Sequence, residues 1–488
     1  MGSTHREVIG RVDTAIQLCS DRRSAPVPDS APLTPTFSAP GRLSVRLEVG
    51  SFPVNDVAFG SQTRLQDGSL EIDRDELESL ALQGGKIPWA SIDIVRPGDS
   101  VRLINSSDSL VVQTKVDGPG MVYPGVCGRP TTTVGKGRTH RLGNMALMVC
   151  VDSWNLTPGE RAWPSRVEQA QRHGDARFTP TRRRLRGHID MSGPGNKPPY
   201  DALSLVCLTL EAPKGEGEER LLALRSAALA VADRLAQVTV GLEPPELESF
   251  DFSSNDPSLP SFVFIPNLAS IETHAGARSA AGVSIYGQTR LSAPWSLYPT
   301  EVMDGAVFGS RTWQIANNPI VMDLARRHGK SCNFLGCIIQ RTNWTEQPEK
   351  EMVASRAALL AKQLGADGAI VTADARGQRY LDTALTVQAC EREGIKTVLL
   401  TEEEDNEGGT APPLLVAFPE IQSVVSAGTG GGGVDDGVDL PFPAVDKVVG
   451  AREVDESWLE ERPPIHGSYG SNYLQDYYGF GRQSLEDY

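Results

Sequence analysis

The stretch NFLGCIIQRTNWTEQPEKEMVASRAALLAKQLGADGAIVTADARGQRYLDTALTVQACEREGIKTVLLT, residues 333–401, decides the fold class of the chain's last third. It opens on NFLGCIIQ, an apolar run of strand length that reads as a buried strand. EKEMVASRAALLAKQL then carries helix formers with no glycine or proline and closes on Gly365. AIVTA is a second strand, YLDTALTVQACERE a second helix stopped by Gly394, and KTVLLT a third strand. Strands alternating with helices of this length predict a parallel, doubly wound sheet. In such sheets ligands sit beyond the carboxyl ends of the strands, which here carry Arg341, Thr342, Thr372, Asp374, Thr401 and Glu402.

Working outward, PIVMDLARRHG (319–329) reads as a helix ended by Gly329, and SVVSAG (423–428) as a further strand. Upstream the texture changes. From Leu43, short alternating runs such as LSVRLEVG, SLEIDRDE and SIDIVRPGDSVRLI are broken by Gly, Pro and Asp, which predicts a β-rich domain. VDGPGMVYPGVCGRP and TTVGKGRTHRLG follow as glycine-rich loops, and EERLLALRSAALAVADRLAQVTVG as an amphipathic helix ended by Gly241. The fold class expected is thus α+β and α/β. The segmentation is a mobile Pro/Ser-rich arm over 1–42, a β-rich domain over 43–240 and a connecting region over 241–318. The doubly wound domain follows over 319–450 and an acidic, Tyr-rich tail over 451–488.

A length of 488 residues suits about three domains. The net charge of −15 lacks the basic footprint of a nucleic-acid binder, so no nucleic-acid partner is expected. Seven scattered cysteines (19, 127, 150, 207, 332, 337 and 390) do not form a disulfide framework. They suit a reducing compartment, and no apolar run approaches the ~20 residues of a membrane span. With no signal-peptide pattern at its start, the chain is expected to be cytoplasmic. AGTGGGGVDDG (427–437) lacks the Lys-Ser/Thr of a phosphate loop, and the histidines form no local metal cluster, so no metal is expected.

Eight blocks go further. In order they are KVDGPGMVYPG, TVGKGRTHRL, IDMSGPG, LYPTEVMDGAV, NNPIV, AKQLGADGAIVT, GIKTVLLTEE and DKVVG. Over roughly residues 43–450 the chain resembles the alpha/beta subunit precursor of component B of glycine, sarcosine and betaine reductase, and more distantly the proline reductase precursor. The resemblance implies a subunit of an oxidoreductase complex acting on a small amine or amino-acid-derived substrate by C–N or C–S bond chemistry. It implies a hetero-oligomer, in which a partner resembling the selenoprotein or cysteine subunit of component B supplies the attacking thiol or selenol. Members of the family cut themselves before a cysteine whose remnant becomes a pyruvoyl group, an electrophile built from the chain.

Here the interval between TEVMDGA and NNP is VFGSRTWQIA, without a cysteine. Two readings stand open. In one, Ser310 replaces the cysteine and yields a serine-derived pyruvoyl, with Glu301 or Asp304 assisting proton transfer and Gly309 easing the turn. In the other the chain stays uncut, carries no cofactor and retains the partner surface. Beyond these, a non-catalytic scaffold that shapes and activates its partner's active site is the alternative function. The candidate catalytic residues are therefore Ser310, Glu301, Asp304 and His140. The candidate substrate-binding residues are Gly118, Gly120, Arg138, Thr139, Asp190, Ser192 and Gly193, taken from the matching loops.

Overall fold

The computed structural model describes residues 45–117, 134–153, 155, 189–192, 199–215, 217–269, 284–285, 289–290, 294–309, 312–342, 346–373, 380–403, 414–429 and 443–461. The arm expected over 1–42, the glycines 118, 120 and 193, Ser310 and the tail beyond 461 lie outside them.

The N-terminal part contains two four-stranded sheets. Their strands are β1 (Arg46–Pro53), β2 (Ala90–Val95), β4 (Ser106–Leu110), β5 (Gln113–Lys115), β6 (Gly137–Gly143), β7 (Met145–Asp152), β8 (Ser204–Glu211) and β9 (Glu246–Asp251), while β3 (Val101–Leu103) belongs to a separate small sheet. One sheet runs β9–β1–β6–β5, with β1 and β6 parallel and both outer pairs antiparallel. The other runs β2–β8–β7–β4, with β7 and β8 parallel at its centre. MALMVCVD in β7 is buried at every position, because both faces of that strand are covered. On one face Leu147, Val149, Leu208 and Leu210 meet the apolar stripe of α2 (Gly217–Ala236), including Leu224, Val231 and Leu235. On the other face Met148, Cys150 and Cys207 meet Leu103, Ile189, Tyr200 and Val449. Helix α1 (Arg74–Leu82) starts where the Asp73 carboxylate accepts from Glu76 N, an N-cap worth about 1 kcal/mol.

The C-terminal part is the doubly wound sheet read from the sequence. It comprises β10 (Ser261–Ala269), β11 (Trp295–Leu297), β12 (Asn333–Thr342), β13 (Gly368–Ala373), β14 (Lys396–Glu403) and β15 (Val424–Thr429). Their spatial order is β11–β12–β10–β13–β14–β15, with β11 antiparallel to β12 and the rest parallel. Among the five parallel strands the order is therefore second, first, third, fourth, fifth, and it reverses between β10 and β13. The interior strand β10 comes from 261–269, upstream of the boundary at 319 drawn from sequence, so the connecting region contributes to this domain. Phe262, Val263, Phe264 and Ile265 are buried on both faces of the sheet, which is why SFVFIPNLA lacks alternation.

Short helices α3 (Pro299–Met303), α4 (Thr312–Ala316) and α5 (Pro319–Arg327) lie between β11 and β12. Asn318 caps α5, its side chain accepting from Ile320 N and Val321 N, and Pro319 takes the first turn, where no N–H is needed. Helices α6 (Gln347–Leu364) and α7 (Tyr380–Arg392) cover one face of the sheet. Gly365 ends α6 at φ 83°, a left-handed cap.

The chain then returns to the N-terminal part. Strand β16 (Lys447–Val449) pairs parallel with β3, and Trp458 is fully buried against Ile104, Val445 and Val448. This strap spans 443–461, taking in the end of the domain expected over 319–450 and the first residues of the expected tail, 451–461.

Candidate active site

Two of the blocks singled out in the sequence meet in space. Side chains alternate along a strand, so Thr139 and Arg141 of β6 share one face, and Gln113 and Lys115 of β5 share it too. The register pairs Gln113 with Arg141 and Lys115 with Thr139, giving a buried two-by-two polar layer. Helix α3 and the turn after it lie against that layer. The Asp304 carboxylate, also buried, accepts from Thr139 Oγ1 at 2.5 Å and from Gly135 N at 2.7 Å, and pairs with Lys115 Nζ at 2.5 Å. Lys115 Nζ also donates to Thr139 Oγ1 at 2.8 Å and to Lys136 O at 2.6 Å. Arg141 donates to Met303 O and to Asn317 Oδ1, each at 2.7 Å, and its Nε and Nη2 also donate to Gln113 Oε1.

Close approach explains the glycine in VGKGR. Gly135 has φ 71°, and a Cβ there would lie 2.8 Å from Glu301 N and 2.9 Å from Thr300 Oγ1. Glu301 turns back to accept from Tyr298 N at 2.7 Å, which closes the start of α3. Thr300 Oγ1 and Gln314 Oε1 are buried here with no hydrogen-bond partner among the described residues.

Gly309 and Thr312, the described residues nearest Ser310, are both held by hydrogen bonds. Strand β4 slips register against β7 between Val149 and Cys150, and Asp108 follows the irregularity, aimed at α4. Its Oδ1 accepts from Thr312 N at 2.9 Å, and its Oδ2 from Thr312 Oγ1 at 2.8 Å. Gly309 N donates to Thr312 Oγ1 at 3.2 Å. Crowding by protein pushes the Asp108 carboxyl up to about 7, against the opposing pull of the Thr312 donors and Arg225. Trp313 Nε1 donates to Met145 O at 3.2 Å and ties α4 to β7.

The remaining predicted residues are elsewhere. His140 follows Thr139 and therefore points the other way, with Nδ1 3.1 Å from Thr239 O and its ring beside Phe52. Burial lowers its pKa and favours the neutral ring, whose Nε2 has no partner among the described residues. Arg138 donates to Glu48 Oε2 at 2.8 Å on that opposite face, and its carboxylate partner is held below the usual range by this contact. Asp190 forms a fully buried bidentate pair with Arg102, at 2.7 and 3.0 Å. Arg102 in turn donates to Trp458 O at 2.6 Å and Pro443 O at 2.7 Å, so this pair clasps the strap rather than the junction. Ser192 follows two residues later and is half-buried. Thus Asp304, Glu301 and Thr139 come together, and His140, Arg138 and Asp190 do not join them.

Gln113, Lys115, Arg141, Asn317 and Asp108 were not singled out as site residues. The first three follow from strand alternation in QTK and RTHRL. The Asp108–Thr312 contact spans 204 positions and has no local signal. Among the described residues no group of three His, Cys, Asp or Glu is placed to hold a metal ion. The described cysteines are free and buried. Desolvation pushes the thiols of Cys150 and Cys390 to about 12 and that of Cys332 to about 11, far from thiolate formation at neutral pH. No helix of the described residues is long and apolar enough to cross a membrane.

Comparison with known proteins matches the family model described as glycine/sarcosine/betaine reductase component B subunits over residues 45–161 and 180–459. The chain is 28% identical to the sarcosine reductase complex component B subunit alpha of Peptoclostridium acidaminophilum, over 85% of this chain and 91% of that one. It is 30% identical to the betaine reductase complex component B subunit alpha of the same organism, over 81% of this chain and 86% of that one. Against that organism's glycine reductase complex component B subunits alpha and beta it is 29% identical, with 83% and 89% covered. No solved structure matches the chain. The chain belongs to the family of glycine/sarcosine/betaine reductase component B subunits.

Proposed function

We propose that the chain is the substrate-holding subunit of a reductase complex of this family, acting on a small amine or amino-acid-derived molecule. Its partner subunit supplies the attacking thiol or selenol. As the carbon–sulfur or carbon–selenium bond forms, the C–N bond breaks, and its electron pair leaves with the amine, which takes up a proton. The observation that carries this reading is the grip of Lys115 and Thr139 on Asp304, which holds the turn after α3 against the β5–β6 pair. The chain's own described thiols, buried and far from ionisation, support an external thiol.

A pyruvoyl group would supply an electrophilic carbonyl to which an amine could add. Ser310, from which it would form, lies outside the described residues, and the Thr312 hydroxyl is already engaged by Asp108 and Gly309. Because the interval VFGSRTWQIA carries no cysteine, the reading adopted is the uncut chain, with no step routed through that group. Around the segment, Asp108 holds a carboxyl able to change protonation near neutral pH, and Arg141 and Asn317 fix the backbone at Met303.

Intact mass under denaturing conditions, with and without a carbonyl-trapping hydrazine, tests the uncut state. One species near 52.5 kDa without an adduct is expected. Two fragments divided near residue 310, the downstream one carrying hydrazine, would replace it with a serine-derived electrophile. Substrate holding is tested by titrating glycine, sarcosine and betaine into the chain bound to a partner subunit carrying the thiol. Amine binding by this chain, and turnover only with both subunits, are expected. Partner activation without any amine affinity in this chain would instead make it a scaffold.

A further inference from the structure

On the paired strands β10 and β12 of the doubly wound sheet, two amides are each left with an acceptor and no donor. Asn267, on β10, is fully buried, and its Nδ2 crosses to the adjacent strand β13 to donate to Thr372 O at 3.2 Å. Gln340, fully buried on β12, is the register partner of Asn267, so both side chains leave the same face of the sheet. Val263, Ile265 and Ile338 share that face, which α6 and α7 cover.

Partner chemistry fixes which way each amide points. Thr372 O can only accept, so Asn267 presents Nδ2 to it. Thr386 Oγ1 spends its single hydrogen on Asp382 O at 2.7 Å, so it can only accept from Gln340 Nε2, at 2.9 Å. Asn267 Oδ1 and Gln340 Oε1 are therefore the orphans, and neither has a partner among the described residues. Thr383, one turn before Thr386 on α7, is fully buried with its hydroxyl also unpartnered. The nearby Lys350 and Asp382 are buried and paired with each other, adding no net charge.

Buried polar atoms in native proteins have partners almost without exception. A set of acceptors needs a donor or a cation. Neutral oxygens without a spare carboxylate suit a singly charged ion, because calcium and magnesium sites are built around carboxylates. We propose that Asn267 Oδ1 and Gln340 Oε1 form a binding site for a dehydrated monovalent cation, potassium or ammonium, between β10 and β12 on the face covered by α6 and α7. The site is separate from the Asp304 junction and does not depend on the reading given for it.

The test is thermal unfolding of the full chain in potassium, ammonium and tetramethylammonium chloride at equal ionic strength. Saturable stabilisation of about 2–4 °C in potassium or ammonium over tetramethylammonium is expected. A response to potassium alone assigns a metal ion, and a response to ammonium alone assigns ammonium. Both outcomes support the site. Superimposable transitions in all three salts overturn it and leave a buried water at the two oxygens. Gln340→Met keeps the length of the side chain and removes the oxygen, so it should lose the salt-specific increment. Retention of the full increment in a folded Gln340→Met variant overturns the assignment. The salt series on the unaltered chain decides the matter even if the variant fails to fold.

Discussion

Lys115 Nζ lies 2.5 Å from Asp304 Oδ2, and both side chains are almost wholly buried. The residues are 189 positions apart, on the outer strand of one sheet and in the turn after a helix of the other part. A buried pair of this kind adds little net stability, since desolvation offsets most of the attraction. It does fix geometry, because either charge left alone is costly. Lys115→Met or Asp304→Leu alone should each lose about 3–5 kcal/mol of unfolding free energy. The double variant should recover much of that loss while losing partner-dependent activity. Urea unfolding of the four proteins, analysed as a double-mutant cycle, measures the coupling; additive losses would show that the two charges do not depend on each other.

Gly135→Ala sets a Cβ against Glu301 N at 2.8 Å in a backbone conformation with φ 71°. Neither the strain nor the backbone contact can be relieved by a flexible side chain. The expected loss is about 1–3 kcal/mol, seen as a lower urea midpoint with an unchanged slope. Gly365→Ala, at φ 83° with nothing within 4 Å, serves as the control. It should cost less, since only the strain remains.

Asp108 ties stability to pH. Its folded pKa, about 7, lies above its ordinary value of 3.8, so the folded state holds the proton more tightly. The stability this confers is fully present below about pH 4 and is lost as pH rises through 7. His140 and His328 titrate in the opposite sense, because burial lowers both, so the total curve mixes the contributions. The difference between the unaltered chain and Asp108→Asn isolates the carboxyl. Relative to the asparagine variant, the unaltered chain should lose stability steadily from pH 4 to 7.5. A flat difference would mean that Asp108 is ionised in the folded state throughout.

Arg102 holds four acceptors, Asp190, Trp458 O, Glu460 O and Pro443 O, at full burial. Arg102→Met should strand the Asp190 charge and free the strap. Limited proteolysis should then cut between residues 443 and 461 at a rate at least tenfold higher, because local opening there becomes cheap. Protection equal to that of the unaltered chain would show that Trp458 packing alone holds the strap.

Much of the doubly wound part is legible in the sequence because its signals are local. Gly365 and Gly394 end helices, Asn318-Pro319 starts one, and AIVTA and KTVLLT are strands too short to be anything else. Strand β10 escapes this reading because SFVFIPNLA has the apolar continuity of a buried strand but no helix immediately before it. At the junction, the sequence points to Asp304, Glu301 and Thr139, since their blocks carry the family resemblance. It does not separate Thr139 from His140, although strand alternation puts them on opposite faces. Nor does it reveal that Asp190 serves Arg102, because the strap they clasp is brought back from more than 250 positions downstream. Pairings over such distances depend on topology, which no local pattern encodes.

The strap and strand β10 together impose a reciprocal exchange. Residues before 310 supply an interior strand and an edge strand of the C-terminal sheet, β10 and β11, while residues after it supply β16 to the N-terminal part. Hydrolysis of a peptide bond near 310 would therefore yield two interlocked pieces, each completing the other's fold. Cutting and separating are distinct events in this architecture. A nicked molecule would migrate as one particle under native conditions, and its halves, made as separate chains, would have to find each other before either could finish folding.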